Sequence, residues 1–279
     1  MTTLETIHPA KPATSNDLKS GTLLQLAPRM AVDREKYLAL SAVERQRLEC
    51  IAIARSSYTA VLISKSAALL HDLWLLPCPE DPVELALPCG SLPRHNRHAP
   101  GRRYRKTMVG DVETIDGARV VSIARAVADV ARYHGFRHGL IAADSALNMG
   151  ISPARLQAEV DDLGRVHNAA AARKAIACAS SLSRSPFESL VRALAVELGL
   201  DAKPRQRVAP GIEALLIEEA IIVEIGPQAV LSRRSSRTAY LRSLGYRVVQ
   251  FTPEQLAKDP DTCRRTLHML AQAHAVKAS

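Results

Sequence analysis

Between Ser185 and Phe251 the apolar residues change their spacing twice, and this constrains the fold more than any other feature of the chain. Phe187, Leu190, Val191, Leu194 and Leu198 recur about every 3.6 residues, the stripe of an amphipathic helix. Ser185-Pro186 opens that helix and Gly199 stops it. Two strand-like runs follow, Ile212–Ile217 and Ala220–Ile225, separated by Glu218-Glu219. Arg237–Leu244 then reads as a helix ended by Gly245, and Tyr246–Phe251 as a strand. Thr252-Pro-Glu-Gln255 has capping-box spacing, and Pro260–Val276 reads as a terminal helix. Helix, hairpin, helix, strand, helix predicts a small mixed sheet with helices packed on it, an α/β (α+β) class.

The residues before Ser185 predict a mostly helical part. Residues 1–17 read as a ragged leader, and Leu18–Pro28 as a turn at Gly21 followed by a short strand. Helices are expected over Lys36–Tyr58, Ser64–Leu75, Ser122–His134 and Phe136–Met149, then from Ser152-Pro153, then over His167–Ser181. Val83–Pro88 alternates as a strand should. Arg94, Arg97, Arg102, Arg103, Arg105 and Lys106 make the densest basic segment, which Pro93, Pro100 and Gly101 keep from being helical. It is expected to be a loop or hairpin that touches phosphate or simply faces solvent. His71 is expected to be a satisfied core or edge histidine. Ser180–Ser185 is the expected boundary. The division is then a leader and short strand over 1–35, a helical or mixed domain over 36–165, a connector over 166–182 and a sheet domain over 183–279.

The chain has 279 residues and a net charge of +9, with arginine well ahead of lysine, which favours polyanionic partners. No apolar run approaches the roughly 20 residues needed to cross a bilayer. Five widely spaced cysteines form no paired motif, so a cytoplasmic setting is expected.

The hairpin carries the candidate chemistry. If Glu218 and Glu219 are its two turn residues, Ile217 pairs with Ala220, and Glu213 then stands opposite Glu224 on one face. Facing carboxylates repel unless a divalent cation or a shared proton lies between them. A one-residue shift would send them to opposite faces. Glu188 is a third carboxylate, spaced to close a capping box with Ser185. Arg233, Arg234 and Arg237 lie where phosphate would approach.

Ser183-Arg-Ser-Pro-Phe-Glu188-Ser-Leu-Val-Arg192, Gly211-Ile-Glu213, Ile222-Val-Glu224-Ile-Gly226 and Leu244-Gly-Tyr-Arg-Val-Val-Gln-Phe-Thr252 resemble, in order and spacing, a set of actinobacterial proteins. Their C-terminal domain is similar to very-short-patch-repair endonucleases of the PD-(D/E)XK type. Ala60–His71, Val121–Asp129 and Ala142–Gly150 are similar to the helices of their AbiEi-antitoxin-like first part. The resemblance implies a nuclease-like fold, catalytic Glu188, Glu213 and Glu224, and Mg2+ held by Glu213 and Glu224 if the protein cleaves. It also makes the short strand within residues 1–35 the remnant wing of a winged helix. The chain also departs from that pattern: Glu213 replaces an aspartate, Gly226 an acidic residue (or lysine in the general nuclease pattern), and Gln250 an arginine. The active site is therefore expected to be degenerate, and the protein a DNA-binding regulator or antitoxin with little catalysis. A Mg2+-dependent endonuclease and a protein-binding partner of a toxin or phage-defence protein are the alternatives.

Overall fold

The computed structural model describes residues 5–6, 17–57, 59–76, 81–86 and 100–278. The chain is mixed α and β, and its contacts divide it into two units. One comprises Met1–Leu73 and Pro77–Tyr133, the other Trp74–Leu76 and His134–Ser279.

The first unit opens with β1 (Glu5–Thr6), a single helical turn α1 (residues 17–20), β2 (Leu23–Ala27) and β3 (Met30–Asp33). Its first sheet has the order β1-β3-β2, and the short strand expected after Gly21 is β2, in a hairpin with β3. Lys36–Tyr58 is not one helix but two, α2 (Arg34–Ala39) and α3 (Ala42–Ser56). The break has a local cause: Ser41 and Glu44 form a capping box, a helix start inside the apolar run.

A second sheet joins β4 (Val61–Leu62), β5 (Val83–Ala86), β6 (Arg102–Arg105), β7 (Val112–Ile115) and β8 (Ala118–Val121) in the order β6-β5-β4-β8-β7. The helices α4 (Ser64–Leu70) and α5 (Ile123–His134) complete the unit. Of these strands the sequence marks only β5 clearly. The β7–β8 hairpin turns at Asp116-Gly117, both in the left-handed region at φ 51° and 76°, as a tight hairpin turn requires. His71 gives its Nε2 to the Val121 carbonyl at 2.7 Å and is buried, as a core histidine should be.

In the second unit come α6 (Phe136–Asn148), α7 (Pro153–Asp162), α8 (Ala169–Ala177) and α9 (Pro186–Glu197). The sheet follows: β9 (Ala202–Ala209), β10 (Ile212–Ile217), β11 (Ile221–Ile225), the helices α10 (Gln228–Arg233) and α11 (Ser235–Ser243), then β12 (Arg247–Phe251). The helices α12 (Pro253–Lys258) and α13 (Pro260–Ala278) close the chain. The sheet order is β12-β11-β10-β9, antiparallel except that β12 runs parallel to β11. The parallel pair needs a crossover, and α10 and α11 supply it.

Helices cover both faces. On one, Leu190, Val191 and Leu194 of α9 meet Leu215, Ile217, Ile221, Val223, Phe251 and Leu267. On the other, Leu241 of α11 meets Val208 and Ile222. Burial on both faces explains why β11 reads as a nearly continuous apolar run. Glu224 is the exception, a carboxylate in the central part of the sheet.

Asp144 of α6 is fully buried and gathers the neighbouring segments. It accepts hydrogen bonds from the Ser180 N–H at 2.8 Å and the Ser183 and Ser189 hydroxyls at 2.7 Å each. Arg192 of α9 forms an ion pair with it. The segment Ser180–Ser185 thus runs between α8 and α9 within one unit, tied to α6. The division by contacts lies earlier, between Tyr133 and His134.

Candidate nucleic-acid interface

The hairpin register differs from the simplest expectation by one residue. Ile217 pairs with Ile221, Leu216 with Ile222 and Leu215 with Val223. Glu218 and Glu219 both adopt left-handed φ values, and Ala220 joins them in a loop one residue longer than the minimal turn. Glu213 therefore does not stand opposite Glu224. Alternation puts Glu213 with Leu215 and Ile217, and Glu224 with Ile222, on the other face. The two carboxylates, expected to face one another, lie on opposite faces because the loop takes in Ala220. On β10 the partner of Glu213 is Arg207 of β9, and on β11 the partner of Glu224 is Gln250 of β12.

Glu188, Glu213 and Glu224 do border one cavity of about 260 Å3 at the end of the β10–β11 hairpin away from the turn. Arg184, Arg205, Arg234 and Arg237 line it too, and Arg207 joins Arg184 and Arg237 in the adjoining recess. Five arginines thus surround three glutamates, so the cleft carries net positive charge.

Each glutamate is already engaged. Glu213, exposed at the rim, forms ion pairs with Arg184 and, at 3.2 Å, with the Nε of Arg205. Glu224 is 3% exposed. Its Oε2 accepts from the Thr238 hydroxyl at 2.9 Å and the Gln250 amide at 3.0 Å. Its Oε1 lies 3.2 Å from Arg237 Nε, an ion pair without hydrogen-bond alignment. Glu188 completes only half of the expected capping box. Ser185 Oγ accepts from the Glu188 N–H at 3.1 Å, but the Glu188 carboxylate turns to the Arg184 N–H at 2.9 Å. Burial raises the pKa of Glu188 above the ordinary glutamate value, and the Arg184 N–H opposes that rise.

The chain matches no protein-family model, no curated protein and no solved structure. What the site can do therefore rests on its own geometry. Mg2+ takes near-octahedral oxygen ligands at about 2.0–2.1 Å. Here guanidinium groups already pair with the carboxylates that would have to hold such a cation, Glu224 and Glu213. Among the described residues no group of three or more His, Cys, Asp or Glu side chains is placed to hold a metal. The donor set as built fits guanidinium and does not fit Mg2+. Gly226 has an ordinary φ, and a Cβ there would meet Leu231 and Val230 side chains at 3.7 and 3.8 Å. Backbone geometry thus does not demand glycine at the position where the general nuclease pattern has lysine.

Three cleft arginines, Arg184, Arg205 and Arg207, were not among the sequence candidates. Arg205 and Arg207 sit on β9, a strand the sequence hides behind polar residues and Pro204. Their alternation at positions 205 and 207 was the available signal. Of the candidates, Arg234 and Arg237 line the cleft, while Arg233 is exposed at the end of α10.

The basic segment of the first unit lies partly within the described residues. Arg94 and Arg97 lie outside the described residues. Arg102–Arg105 is not a loop but an edge strand parallel to β5. Arg105 faces inward, 3.1 Å from the buried Glu84 carboxylate and with its guanidinium 3.8 Å over the Tyr133 ring. Arg103 and Lys106 are exposed, and Arg102 is half-buried. Among the described residues no helix is long and apolar enough to cross a membrane.

Proposed function

We propose that this chain is a DNA-binding protein of regulatory or antitoxin type, whose second unit grips the phosphate backbone on a nuclease-like sheet without cutting it. One observation carries the reading: five arginines converge on a cleft whose carboxylates are already ion-paired or hydrogen-bonded. Among the described residues Arg207, although it stands across from Glu213 on the neighbouring strand, and Arg234 form no ion pair, which leaves their planar forks available to phosphate oxygens. The resemblance to very-short-patch-repair endonucleases supports the same reading, since those proteins act on DNA.

Gel retardation and plasmid nicking test it together. Labelled duplex DNA should be retarded by the full chain, with the logarithm of the affinity falling linearly in log[salt]. Supercoiled plasmid incubated with Mg2+ or Mn2+ should stay intact. Nicking that disappears in Glu224→Gln would instead establish the endonuclease. A salt-insensitive complex with a protein, without DNA retention, would establish the defence-partner alternative.

A further inference from the structure

Resting on that DNA-binding reading, we infer that phosphate is held in this cleft without a metal ion, with the Arg237 guanidinium, fixed by Glu224, standing in for the divalent cation. The sheet of the second unit brings an acidic side chain to the cavity from β11, where a nuclease-like fold would use it to hold a cation. In this chain Arg237 reaches the same place from the first turn of α11. Its Nε is buried 3.2 Å from Glu224 Oε1, and its Nη2 lies 3.5 Å from the Glu213 carbonyl. The guanidinium is thus anchored at one edge, and roughly a third of the side chain remains exposed.

Glu224 is itself fixed from the other side. Thr238, one residue after Arg237 on α11, donates to it, and so does Gln250 on the parallel strand. Gln250 also donates to the Thr238 hydroxyl at 3.2 Å, closing a triangle of hydrogen bonds. Where the resemblance implies an arginine, Gln250 supplies an amide that can satisfy Glu224 without adding charge. Glu224 is therefore a positioning residue for Arg237 rather than a ligand for a cation. A guanidinium cannot activate water as a bound cation does, but it pairs with phosphate oxygens bidentately. The same cavity then retains the substrate class of a nuclease, a phosphodiester, and loses the chemistry. The N-terminal N–H groups of α11, which lack a side-chain cap, add partial positive charge at the same edge.

The test uses the full chain, a short labelled DNA duplex and Mn2+ as the metal probe. DNA affinity is measured in EDTA and in Mg2+ at matched ionic strength, and Mn2+ uptake is followed by electron paramagnetic resonance. Affinity in Mg2+ should equal or fall below that in EDTA, because Mg2+ competes for the DNA phosphates. Wild-type protein should take up no Mn2+. Arg237→Gln should lower DNA affinity roughly tenfold and reduce the salt slope by about one. Arg237→Lys, which keeps the charge but not the fork, should recover part of the affinity. DNA retention that requires Mg2+, or one equivalent of Mn2+ bound by wild-type protein and lost in Glu224→Gln, would overturn the inference while leaving DNA binding intact. Absence of DNA retention in both EDTA and Mg2+, at low salt and with folded protein, would remove the reading beneath it.

Discussion

Replacement of Asp144 by alanine is expected to destabilise the second unit by about 3–5 kcal/mol, the usual cost of removing one partner from a buried ion pair. Its partners Ser183, Ser189 and Arg192 are buried as well, so they cannot turn to water when it is lost. Arg192, itself 5% exposed, would keep its charge in the interior with only neutral acceptors, the Ser183 hydroxyl and the Cys178 carbonyl. The Ser180 N–H and the Ser183 and Ser189 hydroxyls would lose their acceptor as well. The measurement is a urea titration read through Trp74, the single tryptophan, which belongs to this unit and donates its backbone N–H to Ser145, the neighbour of Asp144. Asp144→Asn should fall between the two, because it keeps an acceptor but not the charge. A loss below about 1 kcal/mol in Asp144→Ala would show that the segment between α8 and α9 is held by something else.

The second large effect separates two carboxylates that look alike in the sequence. Glu224→Ala should destabilise the unit by about 3 kcal/mol, since Thr238 and Gln250 lose their acceptor and Arg237 loses its buried counter-ion. Glu213→Ala should cost less than about 1 kcal/mol, because that side chain sits at the rim, 43% exposed, with partners that can return to water. Thermal denaturation of both variants in EDTA checks the contrast. Two bare carboxylates awaiting a metal would behave differently: removing either would relieve repulsion and raise stability. Stabilisation by Glu224→Ala would therefore argue for an acidic pair rather than an arginine-anchored one.

The second unit was the legible half of the molecule. The stripe Phe187, Leu190, Val191 and Leu194 and the runs of β10 and β11 are long enough for period alone to mark them, and they bury as that period demands. The first unit was harder because its strands are short: β4 has two residues and β6, β7 and β8 four each. Windows of that length contain too few alternations to stand out. Asp116-Gly117 is a turn signal in the sequence, but the strands on either side of it are four residues each.

At the site, the three glutamates were found, but their relation was not. Register depends on whether Ala220 belongs to the strand or to the loop, and both choices leave apolar residues on each face of β10 and β11. Nor could local sequence show that arginines from three places, the start of α9, strand β9 and helix α11, converge on one cleft. Those contacts span separations that no window includes, such as the 29 residues between Arg184 and Glu213.

The most direct measurement is the DNA affinity of Glu213→Gln against wild type, by fluorescence anisotropy across a salt series. Removing this charge releases Arg184 and Arg205 and takes a negative group out of the path of the phosphate. An arginine cleft predicts binding several-fold tighter than wild type, with a steeper dependence on salt. Weaker binding by Glu213→Gln would mean that the carboxylate helps to hold DNA, through a cation or otherwise, and would contradict the arginine cleft.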